Sequence, residues 1–175
     1  MACSVYYSSY YGSTREYAEA LAERLGTTAE RIPELAAAIA PQGPIVVLSP
    51  AHGPLNDGAT FVVSLADDIL EHHPVALATV GMTLDEEAVA KDATAGLLNQ
   101  RADRVARFYL PGRLNYSELS TQHAMLMKGL ISALRLKPKK SDNEKNMIAT
   151  YGEDVDRVDL SRLDPLVAWV EKNQP

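Results

Sequence analysis

The stretch CSVYYSSYYGSTREYAEALAERLG, residues 3–26, decides the fold, because a strand pattern runs directly into a helix pattern within it. Residues 3–8 are apolar and aromatic and stop at turn-forming residues, as a buried strand does. From Thr14 onward the apolar side chains recur at helical spacing, and Gly26 stands where a helix would end. The stretch therefore predicts a strand, a tight loop at Gly12 and an amphipathic helix.

The same alternation continues along the rest of the chain. Further strands are predicted at 44–49, 74–80 and 104–110, with a weaker one at 29–35, where Pro33 marks a short or edge strand. Helices are predicted around 61–69 with Asp57 as the cap, within 86–102, at 117–135, and at 165–172 with Asp164 as the cap. Strand and helix in regular alternation predict an α/β fold with a doubly wound sheet, in one domain spanning 1–175.

Composition excludes several classes of protein. A net charge of -6 argues against a general nucleic-acid binder, which would present a basic face. Cys3 is the only cysteine, so an intramolecular disulfide is excluded and a buried, inert thiol is expected. There is neither a basic, apolar leader nor a run of about 20 apolar residues, so we expect a cytoplasmic protein. The four histidines lack metal-ligand spacing, and no metal is predicted.

The loop between the first strand and the first helix carries features of an anion site. Gly12 allows a tight turn and a close approach to a ligand. Ser13 and Glu16 have the spacing of a capping box, and amides at a helix start attract phosphate. Hydroxyls of Ser9, Ser13 and Thr14 can add hydrogen bonds. An ordinary capped turn explains this spacing equally well, and the loop is neither a Walker A loop nor a Gly-x-Gly-x-x-Gly turn.

The segment SYYGST, residues 9–14, resembles the phosphate loop of flavodoxins, whose usual form is Ser/Thr-x-Thr-Gly-x-Thr, with Tyr11 in place of the middle threonine. The resemblance implies a flavodoxin-like, five-stranded parallel sheet in the order 2-1-3-4-5, with helices on both faces. It also implies an FMN cofactor. The residues that it implies for the FMN phosphate are Ser9, Gly12, Ser13 and Thr14, and Tyr10 and Tyr11 of the same loop are further expected cofactor-binding residues.

The same resemblance implies that two further loops meet the flavin ring. They contain Pro50, Ala51, His52 and Gly53 in one, and Gly81, Met82 and Thr83 in the other. Neither loop holds a Phe, Tyr or Trp to stack on the ring, which favours two-electron substrate chemistry over electron carriage. His52 is a candidate catalytic residue beside the flavin, since imidazole titrates near neutral pH; a solvated loop histidine is the alternative.

Later segments resemble one branch of the flavodoxin-domain proteins, the quinone-dependent protoporphyrinogen dehydrogenases. The segments are FYLPGRLNYSELS (108–120), MLMKGLI (125–131), RLKPKKSDNEK (135–145) and LDPLVAWV (163–170). The branch implies an oxidoreductase with a quinone or porphyrin-type substrate, and Tyr116 is our candidate for lining its substrate side. Two alternatives stay open: an electron carrier serving a redox partner, and a flavin-free interaction scaffold.

Residues 128–145 form a basic segment on an acidic chain. Six basic residues against two acidic ones leave a local charge of +4. The helix just before and within it is rich in Met and Leu. We expect most of this apolar surface to cover the sheet; the alternative is that the 125–145 region contacts anionic lipid at the inner face of the membrane, or a partner. The oligomeric state has no sequence signal.

Overall fold

Five parallel strands form one sheet in the computed structural model, which describes residues 2–51 and 54–175. The strand order is β2-β1-β3-β4-β5, and every neighbouring pair is parallel. This order confirms the predicted flavodoxin-like sheet, and the winding reverses between β1 and β3. The strands are β1 (Ser4–Tyr7), β2 (Ala29–Arg31), β3 (Ile45–Pro50), β4 (Val75–Gly81) and β5 (Val105–Pro111).

Helices cover both faces of this sheet. They are α1 (Ser13–Leu25), α2 (Asp57–Ser64), α3 (Asp67–His72), α4 (Asp85–Lys91), α5 (Ala93–Leu98), α6 (Thr121–Leu136), α7 (Asp142–Ala149) and α8 (Asp164–Lys172). Strand side chains alternate between two cores: Val46 and Leu48 pack with α1 and α8, whereas Ile45 and Val47 pack with α2 and α5. Because both faces of β3 and β4 are buried, these strands are apolar except for the buried Ser49 and Thr79 near their carboxyl ends.

Several helix ends differ from the sequence prediction. Asn56, not Asp57, caps α2, since its Oδ1 accepts the Ala59 N–H at 2.8 Å. The helix predicted at 61–69 is two helices that break at Leu65, and the region 86–102 likewise holds two short helices and a 3-10 turn. Asp164 is the first residue of α8 and does not cap it. In contrast, Gly26 ends α1 in the left-handed conformation, as predicted.

The expectation that the Met-rich helix covers the sheet is wrong. Of α6, only Ile131 is buried, and the helix packs against α7. The place against the sheet is taken by α8, whose Leu166 and Val170 are fully buried. Sequence patterns also missed α7 and a two-stranded antiparallel pair, β6 (Arg113–Leu114) with β7 (Val155–Asp156). In the described residues, none of the helices combines the length and apolar character that crossing a bilayer requires.

Close packing of α2 on the sheet requires a glycine at position 58. A Cβ there would lie 2.6 Å from the Ser49 Cβ and 2.8 Å from the Leu77 Cδ1. We expect Gly58→Ala to lower the free energy of unfolding by about 1–3 kcal/mol through overpacking. Gly96 in α5 has open space around it, so Gly96→Ala is the matched control and should raise stability by up to about 1 kcal/mol. Urea unfolding measures both, and equal effects would contradict the packing argument.

Candidate nucleotide-binding site

Three loops meet at the carboxyl edge of the sheet. We call them the phosphate loop (residues 9–14, after β1), the β3 loop (51–56) and the β4 loop (82–84). Since β1, β3 and β4 are adjacent in the sheet, their ends lie side by side next to the reversal of winding. In doubly wound sheets this edge is where ligands bind. The fold therefore brings together the three loops that the sequence singled out.

Gly12 shapes the phosphate loop. Its φ is +94°, and a Cβ built on it would have no atom within 4 Å, so the backbone needs glycine although the space beside it is open. The Gly12 N–H donates to the Ser9 Oγ at 3.2 Å, and its carbonyl accepts the Glu16 N–H at 3.0 Å. The loop is thus closed by its own hydrogen bonds as α1 begins.

Ser13 does not cap α1, contrary to the predicted capping box. Gly12 is the N-cap residue and no side chain caps the helix; the Glu16 carboxylate instead accepts a hydrogen bond from Arg113 at 3.0 Å. Ser13 and Thr14 are both buried in the first turn of α1. Their hydroxyls form no hydrogen bond with the residues that the structure describes. Together with the free amides of a helix start, they fit a bound anion such as a nucleotide phosphate.

The two tyrosines of the phosphate loop tie it to helices on either side. The Tyr10 hydroxyl donates to the Asp57 carboxylate at 2.8 Å, at the start of α2. The Tyr11 hydroxyl is hydrogen-bonded to the His123 Nδ1 in the first turn of α6. The two rings are arranged edge to face, with their centroids 5.9 Å apart. Both hydroxyls are therefore engaged by neighbouring helices.

A chain of polar contacts joins the strand ends below the loops. The Ser8 and Ser49 hydroxyls lie 3.1 Å apart, and the Ser49 Oγ accepts the Gly58 N–H at 2.9 Å. Pro50 is the last residue of β3, and the Ala51 N–H donates to the Val80 carbonyl at 2.8 Å. These contacts fix the start of the β3 loop. His52 and Gly53, the other predicted residues of this loop, lie outside the described residues.

The β4 loop is anchored from three directions. The Thr83 carbonyl accepts hydrogen bonds from the Tyr109 hydroxyl at 2.8 Å and from Arg157 at 3.0 Å. The Leu84 N–H donates to the Asn143 side chain of α7 at 2.9 Å. Gly81 ends β4 with a Cβ position only 3.0 Å from the Tyr109 hydroxyl. The loop, with the half-buried Met82 between these anchors, is held in place by β5 and α7.

Stability at alkaline pH should depend on Tyr109. Burial raises the pKa of its phenol to about 12, so the folded protein keeps this proton after the unfolded chain has lost it near pH 10. Between these pH values the unfolded state binds fewer protons than the folded state. The free energy of unfolding therefore keeps the full contribution of Tyr109 below about pH 10 and decreases as the pH rises towards 12. Between about pH 10 and 12, we expect the free energy of unfolding of Tyr109→Phe to decrease by about 2 kcal/mol less than that of the parent. Urea unfolding at several pH values measures this difference. Identical pH slopes would contradict it.

Tyr116 lies in the 3-10 turn Tyr116–Glu118 that precedes α6. Its ring is half-buried and packs edge to face on the Tyr151 ring at 5.4 Å. The Ser117 N–H and hydroxyl donate to Asp154 just beyond. Its role on the substrate side stays a prediction.

Sequence reasoning missed residues that position the site. Asn56 had a recognisable signal, since asparagine directly before a helical pattern is a common N-cap. Arg113, Arg157 and Asn143 had none, because each contacts an element distant in sequence.

A cavity of about 1240 Å³ borders the β4 loop at Leu84. Its wall is formed by the start of α4, the start of α7 and the segment 157–162, and it begins at Leu84, the residue that ends the β4 loop. Basic Arg157 and Arg162 and acidic Asp85 and Asp159 share this wall. Within 2–51 and 54–175, no group of three or more His, Cys, Asp or Glu side chains could hold a metal ion.

Comparison with known proteins agrees with the order of the sheet. No curated protein matches the chain. A family model described as a flavodoxin domain matches residues 4–142, which include all five strands of the sheet and the three loops. The chain belongs to the flavodoxin domain family.

Proposed function

We propose that the chain binds FMN at the carboxyl edge of the sheet and acts as an oxidoreductase on an organic substrate of the quinone or porphyrinogen class. The observation that carries the proposal is the phosphate loop: a glycine-shaped turn at the start of a 13-residue helix, where the hydroxyls of Ser13 and Thr14 have no hydrogen-bond partner among the described residues. When bound, FMN would supply the redox chemistry, and the protein would bind and orient it.

The phosphate of FMN would be held without a lysine or arginine. Amides of the first turn of α1 and the hydroxyls of Ser9, Ser13 and Thr14 are the donors that we assign to it. Arg15, the nearest cation in sequence, pairs with Glu19 at 2.7 Å along the outside of α1. The positive end of the helix dipole favours the phosphate in its place.

The ring of FMN would lie between the β3 and β4 loops, at Pro50, Ala51, His52, Gly53, Gly81, Met82 and Thr83. Met82 is the side chain that we assign to packing on the ring, because a thioether makes favourable contacts with aromatic faces. The anchors on Thr83 and Leu84 would keep this loop in place, which preorganises the contact. His52 is proposed to donate or accept a proton beside the ring.

The cavity beyond Leu84 supports a substrate enzyme over an electron carrier. An enzyme that oxidises a small organic molecule needs a concave space beside its cofactor, whereas a carrier needs only an exposed ring edge. The charged side chains in the cavity wall suit a substrate that carries polar groups of its own. Fit to protoporphyrinogen in particular rests on the resemblance of the later segments to that branch.

Titration of the purified chain with FMN tests the cofactor. We expect quenching of flavin fluorescence with one FMN per chain, and release of FMN on denaturation. Riboflavin, which lacks the phosphate, is the control and should bind at least about 100-fold more weakly, because charge-assisted hydrogen bonds to the phosphate are lost. A chain that does not bind FMN would instead be a flavin-free scaffold.

Turnover separates the enzyme from the carrier. The FMN-loaded chain is supplied with protoporphyrinogen and a soluble quinone, and product formation is followed by porphyrin fluorescence, with free FMN as the control. Multiple turnovers per chain above the free-flavin rate are expected. If FMN binds but no turnover is seen with either compound, while a redox protein reduces or oxidises the chain rapidly, the carrier function replaces the proposed one.

A further inference from the structure

The helix α6 leaves a wide apolar surface uncovered. Its exposed large side chains are Met125, Leu126, Leu130 and Leu136, between 43% and 86% exposed. At 100° per residue they fall on one arc of about 140°, with the small residues Gly129 and Ala133 between them. Ile131, the one buried residue of α6, points almost directly away from the centre of that arc. We call this arc the α6 face.

Positive charge lies beside the α6 face, at Lys128 on one side of the arc and in the segment after the last turn of α6, on a chain that is otherwise acidic. Residues 128–145 carry +4, against -6 for the whole chain. Lys137 and Lys145 pair with Glu144 and Asp142. Lys128 and Lys139 are exposed and, within the described part of the chain, have no ion pair. An apolar stripe with lysines beside it is the pattern that amphipathic helices use to lie in the headgroup region of a bilayer.

We propose that the α6 face docks the chain on an anionic lipid bilayer. The positive charge favours an anionic bilayer over a second copy of the chain, because symmetric pairing of two α6 faces would bring their lysines close to one another. The lysines also favour anionic over neutral lipid, since each basic residue near an anionic surface strengthens binding about fivefold. This docking depends on α6 and the lysines of residues 128–145 and does not require FMN.

Docking by α6 would place the nucleotide edge near the membrane. His123 in the first turn of α6 contacts Tyr11 of the phosphate loop, and the exposed side chains begin at Met125, half a turn further on. The bilayer-facing surface therefore starts beside the carboxyl edge of the sheet. A redox partner dissolved in the bilayer would be within reach of that edge.

Co-sedimentation of the full chain with vesicles tests the proposal. One set contains equal parts phosphatidylglycerol and phosphatidylcholine, and the other contains phosphatidylcholine alone. We expect at least about tenfold stronger binding to the anionic vesicles, weakened by salt. Leu126→Gln with Leu130→Gln should lower this binding at least about tenfold, and so should Lys128→Gln with Lys139→Gln.

The matched control is Leu35→Gln with Val89→Gln, which removes two apolar side chains outside α6 that are at least as exposed as Leu126 and Leu130, and this variant should bind as the parent does. Circular dichroism verifies that each variant is folded. No binding by the parent chain, equal binding by the α6 variants, or equal binding to neutral vesicles would overturn the proposal. A dimer that Leu126→Gln with Leu130→Gln abolishes would assign the face to a second copy and would also overturn it.

Discussion

Replacing Gly12 with valine is expected to weaken FMN binding by at least about 100-fold. The backbone at this position has a φ of +94°, a conformation that a β-branched residue rarely adopts. Valine would therefore distort the phosphate loop, and its side chain would project into the open space beside Gly12. Several charge-assisted hydrogen bonds to the phosphate would be lost together, each contributing about 1.5–3 kcal/mol.

Gly26→Val is the matched control for this experiment. Gly26 lies at the other end of the same helix, also has a positive φ of 66°, and also has no atom within 4 Å of a built Cβ. Both substitutions should cost a similar free energy of unfolding, on the order of 1–3 kcal/mol, from backbone strain. Only Gly12→Val should change the FMN dissociation constant, measured by flavin fluorescence. Equal FMN affinities in the two variants would place the phosphate elsewhere.

The sequence predicted the sheet and the phosphate loop because their signals are local. Strands such as β3 and β4 are apolar on both faces, and a glycine between a strand and a helix marks a turn whatever surrounds it. The order of the strands was an expectation from the flavodoxin resemblance, and the strand pairings confirm it. Burial, turn chemistry and helical period agree along residues 3–26, so this part of the fold was predictable.

The helix α6 shows where this reasoning fails. Its apolar period correctly predicted a helix, but period does not say which surface covers the apolar face. The helix that packs on the sheet at this place is α8, whose Leu166 and Val170 are fully buried, whereas α6 packs against α7. The predicted capping box of Ser13 and Glu16 is absent for a related reason. The Glu16 carboxylate accepts a hydrogen bond from Arg113, 97 residues away, instead of contacting the start of its own helix. Contacts over such distances leave no pattern in one sequence.

Tyr17→Phe is expected to lower the free energy of unfolding by about 2–4 kcal/mol, although it removes only one oxygen atom. Tyr17 is a residue of α1 and is completely buried. Its hydroxyl donates to the Pro111 carbonyl at 2.7 Å and accepts the Asp159 N–H at 2.8 Å. It thereby joins α1 to the end of β5 and to the segment leading into α8. Phenylalanine would leave both backbone groups without this partner, at a cost of about 1–3 kcal/mol each when a buried group stays unsatisfied.

Urea unfolding measures the loss of free energy directly. In thermal unfolding, the midpoint temperature should fall by about 5–15 °C for a chain of this size. Tyr116→Phe is the matched control, because the Tyr116 ring keeps its packing on Tyr151 and the change should be below about 0.5 kcal/mol. Since Pro111 and Asp159 also line the cavity beyond the β4 loop, the same variant should loosen that wall and increase amide exchange there. A loss of stability in Tyr17→Phe no larger than in Tyr116→Phe would show that water replaces the hydroxyl, and that α1 is held to β5 by apolar packing alone.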